Sequence, residues 1–217
     1  MSRPEPADAI RRFVGAVIGV LAAWALIGVV MLLTVTHVQA QVPAEAARYR
    51  LQLKREAQRV WGLDAPVAVF AAQIHQESAW RADARSPVGA QGLTQFMPST
   101  ATWISGAYPA LGQAAPMNPA WAIRALVTYD AHLFTRVPRA DSDCDRMAFA
   151  LAAYNGGLGW VIKRQQRSSE PGKCLGATCR INPGITPSNQ RENERYPELI
   201  LLRHQPLYSH WGPTLCL

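Results

Sequence analysis

A glutamate at the end of an apolar helical stripe is a candidate for proton-transfer chemistry, and the chain contains one. Val67, Phe70, Ile74 and Glu77 recur at spacings of 3, 4 and 3, which sets all four on one face of a helix. A carboxylate on that buried side is desolvated and stands at the negative end of the helix dipole, and both effects raise its pKa. A carboxylic acid that keeps its proton near neutral pH can give it to a leaving oxygen and, once ionised, take one back. The competing reading is structural: a glutamate tied into a buried hydrogen-bonded pair also has a perturbed pKa.

Several residues could hold a substrate beside such an acid. Gly89 and Gly92 permit a tight loop through which backbone approaches a ligand closely. Gln95 offers donors and acceptors to a polar ligand, and Tyr154 and Tyr196 offer apolar ring faces plus a hydroxyl. Each has a bland alternative: Met97 as core, Gly156 as a helix cap, Tyr154 as packing. Ser78 adjoins Glu77, but no His/Asp partner is suggested for a serine nucleophile, and His75 and His132 receive no role. Acid/base chemistry that uses a pair of carboxylates, as in glycoside hydrolysis, would need a second acid opposite Glu77. Asp83 falls in a loop, Asp130 lies off the apolar stripe of its helix, and Asp141, Asp143 and Asp145 cluster at a helix start where capping explains them; Glu192 remains. No metal site is expected, because Cys174 and Cys179 lack a second close Cys/His pair, and no cofactor is implied. The net charge of +7 suits an anionic partner, whether nucleic acid, membrane surface or acidic wall polymer. No Lys/Arg stripe interleaved with aromatics accompanies it, so nucleic acid is not expected.

The elements that must position these residues read as mainly α. Ala46, Tyr49, Leu53, Ala57 and Val60 form one helix face that Gly62 can end. Asp64 is the expected N-cap of the next helix, with Pro66 in its first turn. Asn118-Pro119 starts another, carrying Trp121, Ala125, Leu126, Tyr129 and Leu133 at helical spacing. Asp143 or Asp145 opens an Ala-rich helix that Gly156-Gly157 closes. Residues 165–189, rich in Ser, Gly, Pro and Cys, read as an irregular excursion.

Phe13 to Val35 carries no charge and is mostly Val, Leu, Ile, Ala, Gly and Met. At about 1.5 Å per residue it is long enough for a hydrocarbon core of about 30 Å. Val38-Gln39-Ala40 would serve as a cleavage site, but secretory apolar cores run about 7–15 residues. The reading adopted is therefore a retained signal anchor at 13–35, after a cytoplasmic tail at 1–12 and before a linker at 36–44. Arg3, Arg11 and Arg12 before the span face Arg48, Arg50, Lys54 and Arg55 after it, so charge does not orient it. The four cysteines, Cys144, Cys174, Cys179 and Cys216, all follow the span. An even number in an exported domain suggests disulfides, of which three pairings exist; the expectation is Cys174 with Cys179 and Cys144 with Cys216.

Four motifs then stand in order: Glu77-Ser78-Ala79-Trp80, Ser86-Pro87-Val88-Gly89-Ala90-Gln91-Gly92-Leu93-Thr94-Gln95-Phe96-Met97-Pro98, Ala153-Tyr154-Asn155-Gly156-Gly157, and Glu192-Asn193-Glu194-Arg195-Tyr196. Together they resemble the lytic transglycosylases that share the catalytic domain of the soluble lytic transglycosylases, a relative of the goose-type lysozyme fold. The likeness spans about residues 50–205, inside a domain taken as 45–217 with its motif core at 64–205. Thr94 stands where the family mostly has Met and Asn193 where Thr is usual. The resemblance implies that Glu77 is the single catalytic acid/base. It makes Ser78, Ser86, Gln95, Met97, Tyr154 and Asn155 substrate-side residues, and sets Tyr196 near the glutamate with Glu192 as its acidic companion. It implies peptidoglycan as partner, cut between N-acetylmuramic acid and N-acetylglucosamine with a 1,6-anhydro end. With the span at 13–35 as anchor, the four cysteines and this substrate place the catalytic domain outside, so the expectation is a single-pass inner-membrane protein whose catalytic domain lies in the periplasm or faces the wall. Wall recycling, division, and opening of the wall for a secretion or conjugation apparatus all fit, as do two rival functions: a hydrolytic lysozyme and a non-catalytic wall-binding scaffold.

Overall fold

Helix α1, Ala46–Trp61, buries Ala46, Leu53 and Ala57 and stops at Gly62, whose φ of 83° ends the helical path. Val60, expected on the same face, is 39% exposed. The computed structural model describes residues 41–216; the expected tail at 1–12, span at 13–35 and most of the linker lie outside them. Among the described residues no helix is long and apolar enough to cross a membrane. The described residues form no strand either, only two isolated bridges that pin the Arg85–Phe96 loop.

Helix α2, Val67–Ser78, is the central element. Its first eight residues, Val67 to Ile74, are all buried, so apolar contacts surround it rather than lining one stripe. Asp64 does not cap it; Pro66 occupies the N-cap position, and no side chain caps the helix there. Small residues (Ala68, Ala71, Ala72) let neighbours approach, and the C-terminal turns of the chain pack along it. Helix α3 covers Pro98–Ala107 and α4 covers Pro119–Phe134; the Asn118 carboxamide caps α4 by accepting from the Ala120 and Trp121 amides. Helix α5, Asp143–Gly156, is capped by Ser142 rather than by either aspartate: its Oγ accepts from the Asp145 amide and donates to Asp145 Oδ2. Gly157, at φ 100°, separates it from α6, Leu158–Arg167.

Helix α7, Pro187–Glu198, packs against α5. Pro197 lies inside it and cannot give an N–H to the carbonyl one turn back. The backbone then widens into a π-helical stretch, Leu199–His204, and tightens to a 3₁₀ stretch, Gln205–Trp211. The irregular excursion is confined to 168–186 apart from one 3₁₀ turn, Thr178–Arg180. Cys174 is bonded to Cys179 within it, and Cys144 at the start of α5 is bonded to Cys216. Arg164 of α6, 1% exposed, ties the excursion to α7 by donating to the Ile181 carbonyl, Gln190 Oε1 and Asn193 Oδ1.

Candidate active site

Glu77 stands where the buried helix α2 surfaces. His75, Gln76 and Glu77 are half-buried, whereas Gln73 and Ile74 before them are sealed in the core. Just beyond, Ala79 and Trp80 both adopt positive φ, at 50° and 67°, a conformation that residues with a Cβ rarely take. Burial enforces it: Trp80 is 1% exposed, stacks on Tyr49, and donates its indole N–H to Tyr208 Oη at 2.7 Å. The sharp turn after Glu77 is thereby clamped by an aromatic cluster.

The loop that follows forms one wall. Gly92, at φ 74°, admits no side chain, since a Cβ there would meet the Pro116 carbonyl oxygen at 2.0 Å. Gln95 is held at φ 48° with its Nε2 donating to the carbonyls of Ala84 and Gly92, leaving Oε1 free to accept. Ser86 Oγ accepts from the Ala90 amide, which leaves its proton for another acceptor. From the opposite side α5 brings Tyr154 and Asn155, and α7 brings Glu192 and Tyr196.

These elements enclose an open groove of about 550 Å³. It brings together Glu77, Ser86, Gln95, Met97, Tyr154, Asn155, Glu192 and Tyr196. Ser78 is not among its lining; it is 2% exposed, and its hydroxyl donates to the Leu93 carbonyl at 2.7 Å, latching the loop to the helix. Its expected substrate contact is thus replaced by a structural one. Tyr154 contributes only its ring, because its hydroxyl donates to the Thr94 carbonyl at 2.8 Å. Gln76, Val88, Thr100, Tyr129 and Arg195 line the groove without having been picked out as site residues in the sequence. Arg195 was legible as the neighbour of Tyr196, and Thr100 as one helical turn past Met97. Tyr129 shares the helical spacing of Trp121, Ala125, Leu126 and Leu133, which gives no sign of a place in the groove.

The electrostatics centre on Glu77. Its carboxyl is enclosed by protein on every side but the groove, and that desolvation raises its pKa to about 8. The Glu192 carboxylate pushes the same way, and a hydrogen bond from Tyr196 Oη to Glu77 Oε1 opposes both. Glu192 is exposed, and its Oε1 accepts from Asn155 Nδ2 at 3.2 Å. Asn155 is itself fixed by Asn193 Nδ2, which also donates to the Ala152 carbonyl.

Asp130 differs from its reading as a residue off the apolar stripe. It is fully buried on a second face of α4, that of Ile123 and Val127. Gln73 Nε2 donates to its Oδ1 at 3.3 Å, while Asp130 Oδ2 and Gln73 Oε1 are both buried without a partner. Burial raises the Asp130 pKa well above the usual carboxylate range, and the residue lies outside the groove's lining. Among the described residues no His/Cys/Asp/Glu group could hold a metal ion.

The family described as "Transglycosylase SLT domain" matches residues 53–174. The membrane-bound lytic murein transglycosylase F of Shewanella halifaxensis is 34% identical over 114 residues, 52% of this chain and 21% of that protein. The crystal structure of the 70 kDa soluble lytic transglycosylase from Escherichia coli is similar at a TM-score of 0.60 and 26% identity, covering 76% of this chain and 25% of that one. The structure of an inactive glutamate-to-glutamine mutant of the lytic transglycosylase Slt from Pseudomonas aeruginosa is similar at a TM-score of 0.55 and 26% identity, covering 74% and 24%. The chain thus spans a quarter or less of the length of these relatives.

Proposed function

Because this chain belongs to the family of the transglycosylase SLT domain, we propose that it is a lytic transglycosylase acting on peptidoglycan. The bond cut is the β-1,4 link between N-acetylmuramic acid and N-acetylglucosamine. The observation that carries this is Glu77: a carboxyl at the floor of an open groove, with a pKa raised to about 8, held from behind by Tyr196. A structural scaffold has no use for a desolvated acid facing an open cavity.

The reaction follows from one acid in two states. Tyr196 occupies Glu77 Oε1, so the other oxygen carries the proton toward the substrate. Glu77 protonates the glycosidic oxygen, and the bond from that oxygen to the anomeric carbon breaks. The sugar's own N-acetyl oxygen shields the positive charge that develops there. Glu77, now a carboxylate, takes the proton from the C6 hydroxyl of the same muramic acid, whose oxygen bonds to the anomeric carbon. A 1,6-anhydro ring closes and Glu77 is protonated again. The high effective concentration of an intramolecular hydroxyl favours it over water. Glu192 and Asn155 orient the sugar beside the acid, Ser86 and Gln95 Oε1 meet its polar groups, and Tyr154 and Met97 meet its faces.

Glu192 also lines the groove, and that second carboxylate favours a rival reading as a hydrolytic lysozyme. Mass spectrometry of muropeptides released from purified wall separates the two. Anhydro ends, lighter by one water, are expected. Reducing ends as the main product overturn the transglycosylase reading. Glu77→Gln is expected to lower wall cleavage by about 10²-fold or more while remaining folded; near-normal clearing by that variant overturns the role of Glu77. Anchored at the inner membrane through residues 13–35 and facing the wall from the periplasm, such an enzyme suits local opening of the wall for a secretion or conjugation apparatus.

A further inference from the structure

Exposed large apolar side chains are ordinary when scattered singly, but three of them here border the groove or the depression that adjoins it. Val88 (76% exposed) and Met97 (40%) line the groove, and Trp103 (47%) stands next to its Thr100 end. Thr100 and Trp103 lie one turn apart on α3. A second, shallower depression of about 380 Å³ is lined by Ser99, Thr100, Trp103 and Tyr129. Thr100 and Tyr129 belong to both cavities, so the depression continues the groove.

Trp103 is also fixed in place. Its ring meets Tyr129 at 5.8 Å and His132 at 5.0 Å, near-perpendicular in both cases (71° and 84°). His132 is fixed in turn by a 2.9 Å hydrogen bond between its Nδ1 and Tyr108 Oη. An indole held by near-perpendicular neighbours and still half-exposed is a rigid platform, which loses little side-chain entropy when a ligand covers it. The apolar face of a pyranose ring fits such a platform, and the hydroxyls of Ser99 and Thr100 border it to meet the ring's polar edge.

We propose that Trp103 is the stacking floor of a further sugar subsite, which takes an N-acetylated hexosamine of the glycan strand beyond those at Glu77. This rests on the reading of the groove as a glycan site. The subsite makes binding depend on strand length: a long strand reaches Trp103 and a short one does not. It adds affinity without touching the bond that is cut.

The test uses the full-length Glu77→Gln protein in detergent, which is expected to bind without cleaving, titrated calorimetrically with N-acetylglucosamine oligomers from dimer to hexamer. Trp103→Ala in that background is expected to weaken hexamer binding by about tenfold, the scale of one stacked aromatic, and to leave the shortest oligomer that binds within about twofold. Trp103→Phe, which keeps an aromatic face, is expected to recover most of the loss. Loss of affinity for all lengths alike, or for none, overturns the subsite and leaves the groove reading standing. If the parent protein binds no oligomer of any length, the groove reading and the subsite fall together.

Discussion

Glu77 must hold a proton in a place where water would take it away, and that requirement shows in stability as well as in rate. Its pKa near 8 lies above its ordinary value of 4.5. Between those two values the folded protein keeps a proton that the unfolded chain gives up, so folding stability falls as pH rises from about 4.5 to about 8. Glu77→Gln removes this term. The variant is expected to gain stability over the parent as pH rises from 5 to 8, by about 1–3 kcal/mol at the upper end, given about 1.4 kcal/mol per unit and the groove's solvent screening. Thermal melts of both proteins across that range are the measurement; parallel curves would mean that Glu77 is ionised throughout. Activity that depends on the protonated form is expected to decline on the alkaline side near pH 8. The position of Glu77 was legible because three apolar residues of one stripe, Val67, Phe70 and Ile74, ran into a carboxylate. Asp130 was not, although Ile123, Val127 and Asp130 repeat at the same helical spacing. A stripe identifies one buried face, and a helix packed on two sides has two. Ser78, which the resemblance set on the substrate side, follows Glu77 in the chain and is therefore turned by about 100° around the helix, where it is buried.

At the scale of elements, the loop Arg85–Phe96 carries most of one groove wall and is held by few devices: two bridges, the Ser78 latch, the Gln95 carboxamide and the close pass of Gly92 against Pro116. Gly92 is the test of that closeness. Gly92→Ala would force backbone against backbone where φ is already positive, a combination expected to cost about 2 kcal/mol or more. Because the strain sits in the loop, wall-cleaving activity is expected to fall further than the melting temperature suggests; retention of full activity would show that the loop relaxes freely. Helix starts divide by mechanism. Asn118 was legible as a cap because Pro119 follows it. Asp64 was not excluded by sequence, but Ala65 and Pro66 intervene and Pro66 takes the cap position. Ser142 outcompeted Asp143 and Asp145 because its short hydroxyl both accepts from and donates to the first turn. The widening of the backbone after Pro197 had no sequence mark beyond the proline itself, yet it begins three residues after Tyr196, and Leu199 within it lines the groove.

At the scale of the whole molecule, the two disulfides divide the labour unequally. Cys174–Cys179 closes a span of 5 residues and Cys144–Cys216 one of 72. By the chain-entropy argument the long one contributes about 4 kcal/mol and the short one about 2. Cys144→Ser with Cys216→Ser is therefore expected to lower the denaturation midpoint clearly more than Cys174→Ser with Cys179→Ser, in urea titrations under otherwise equal conditions; the reverse order would show that native packing, not the unfolded chain, sets their value. The long bond has a topological side as well. It turns residues 144–216 into a covalent ring that carries Tyr154, Asn155, Glu192 and Tyr196, while Glu77, Ser86, Gln95 and Met97 sit on the open chain. A protease that nicks the irregular 168–186 segment opens the ring without parting it: both ends remain tied, one through the chain and one through sulfur. The molecule can therefore take a single cut between Cys144 and Cys216 and still hold every groove residue in one covalent piece.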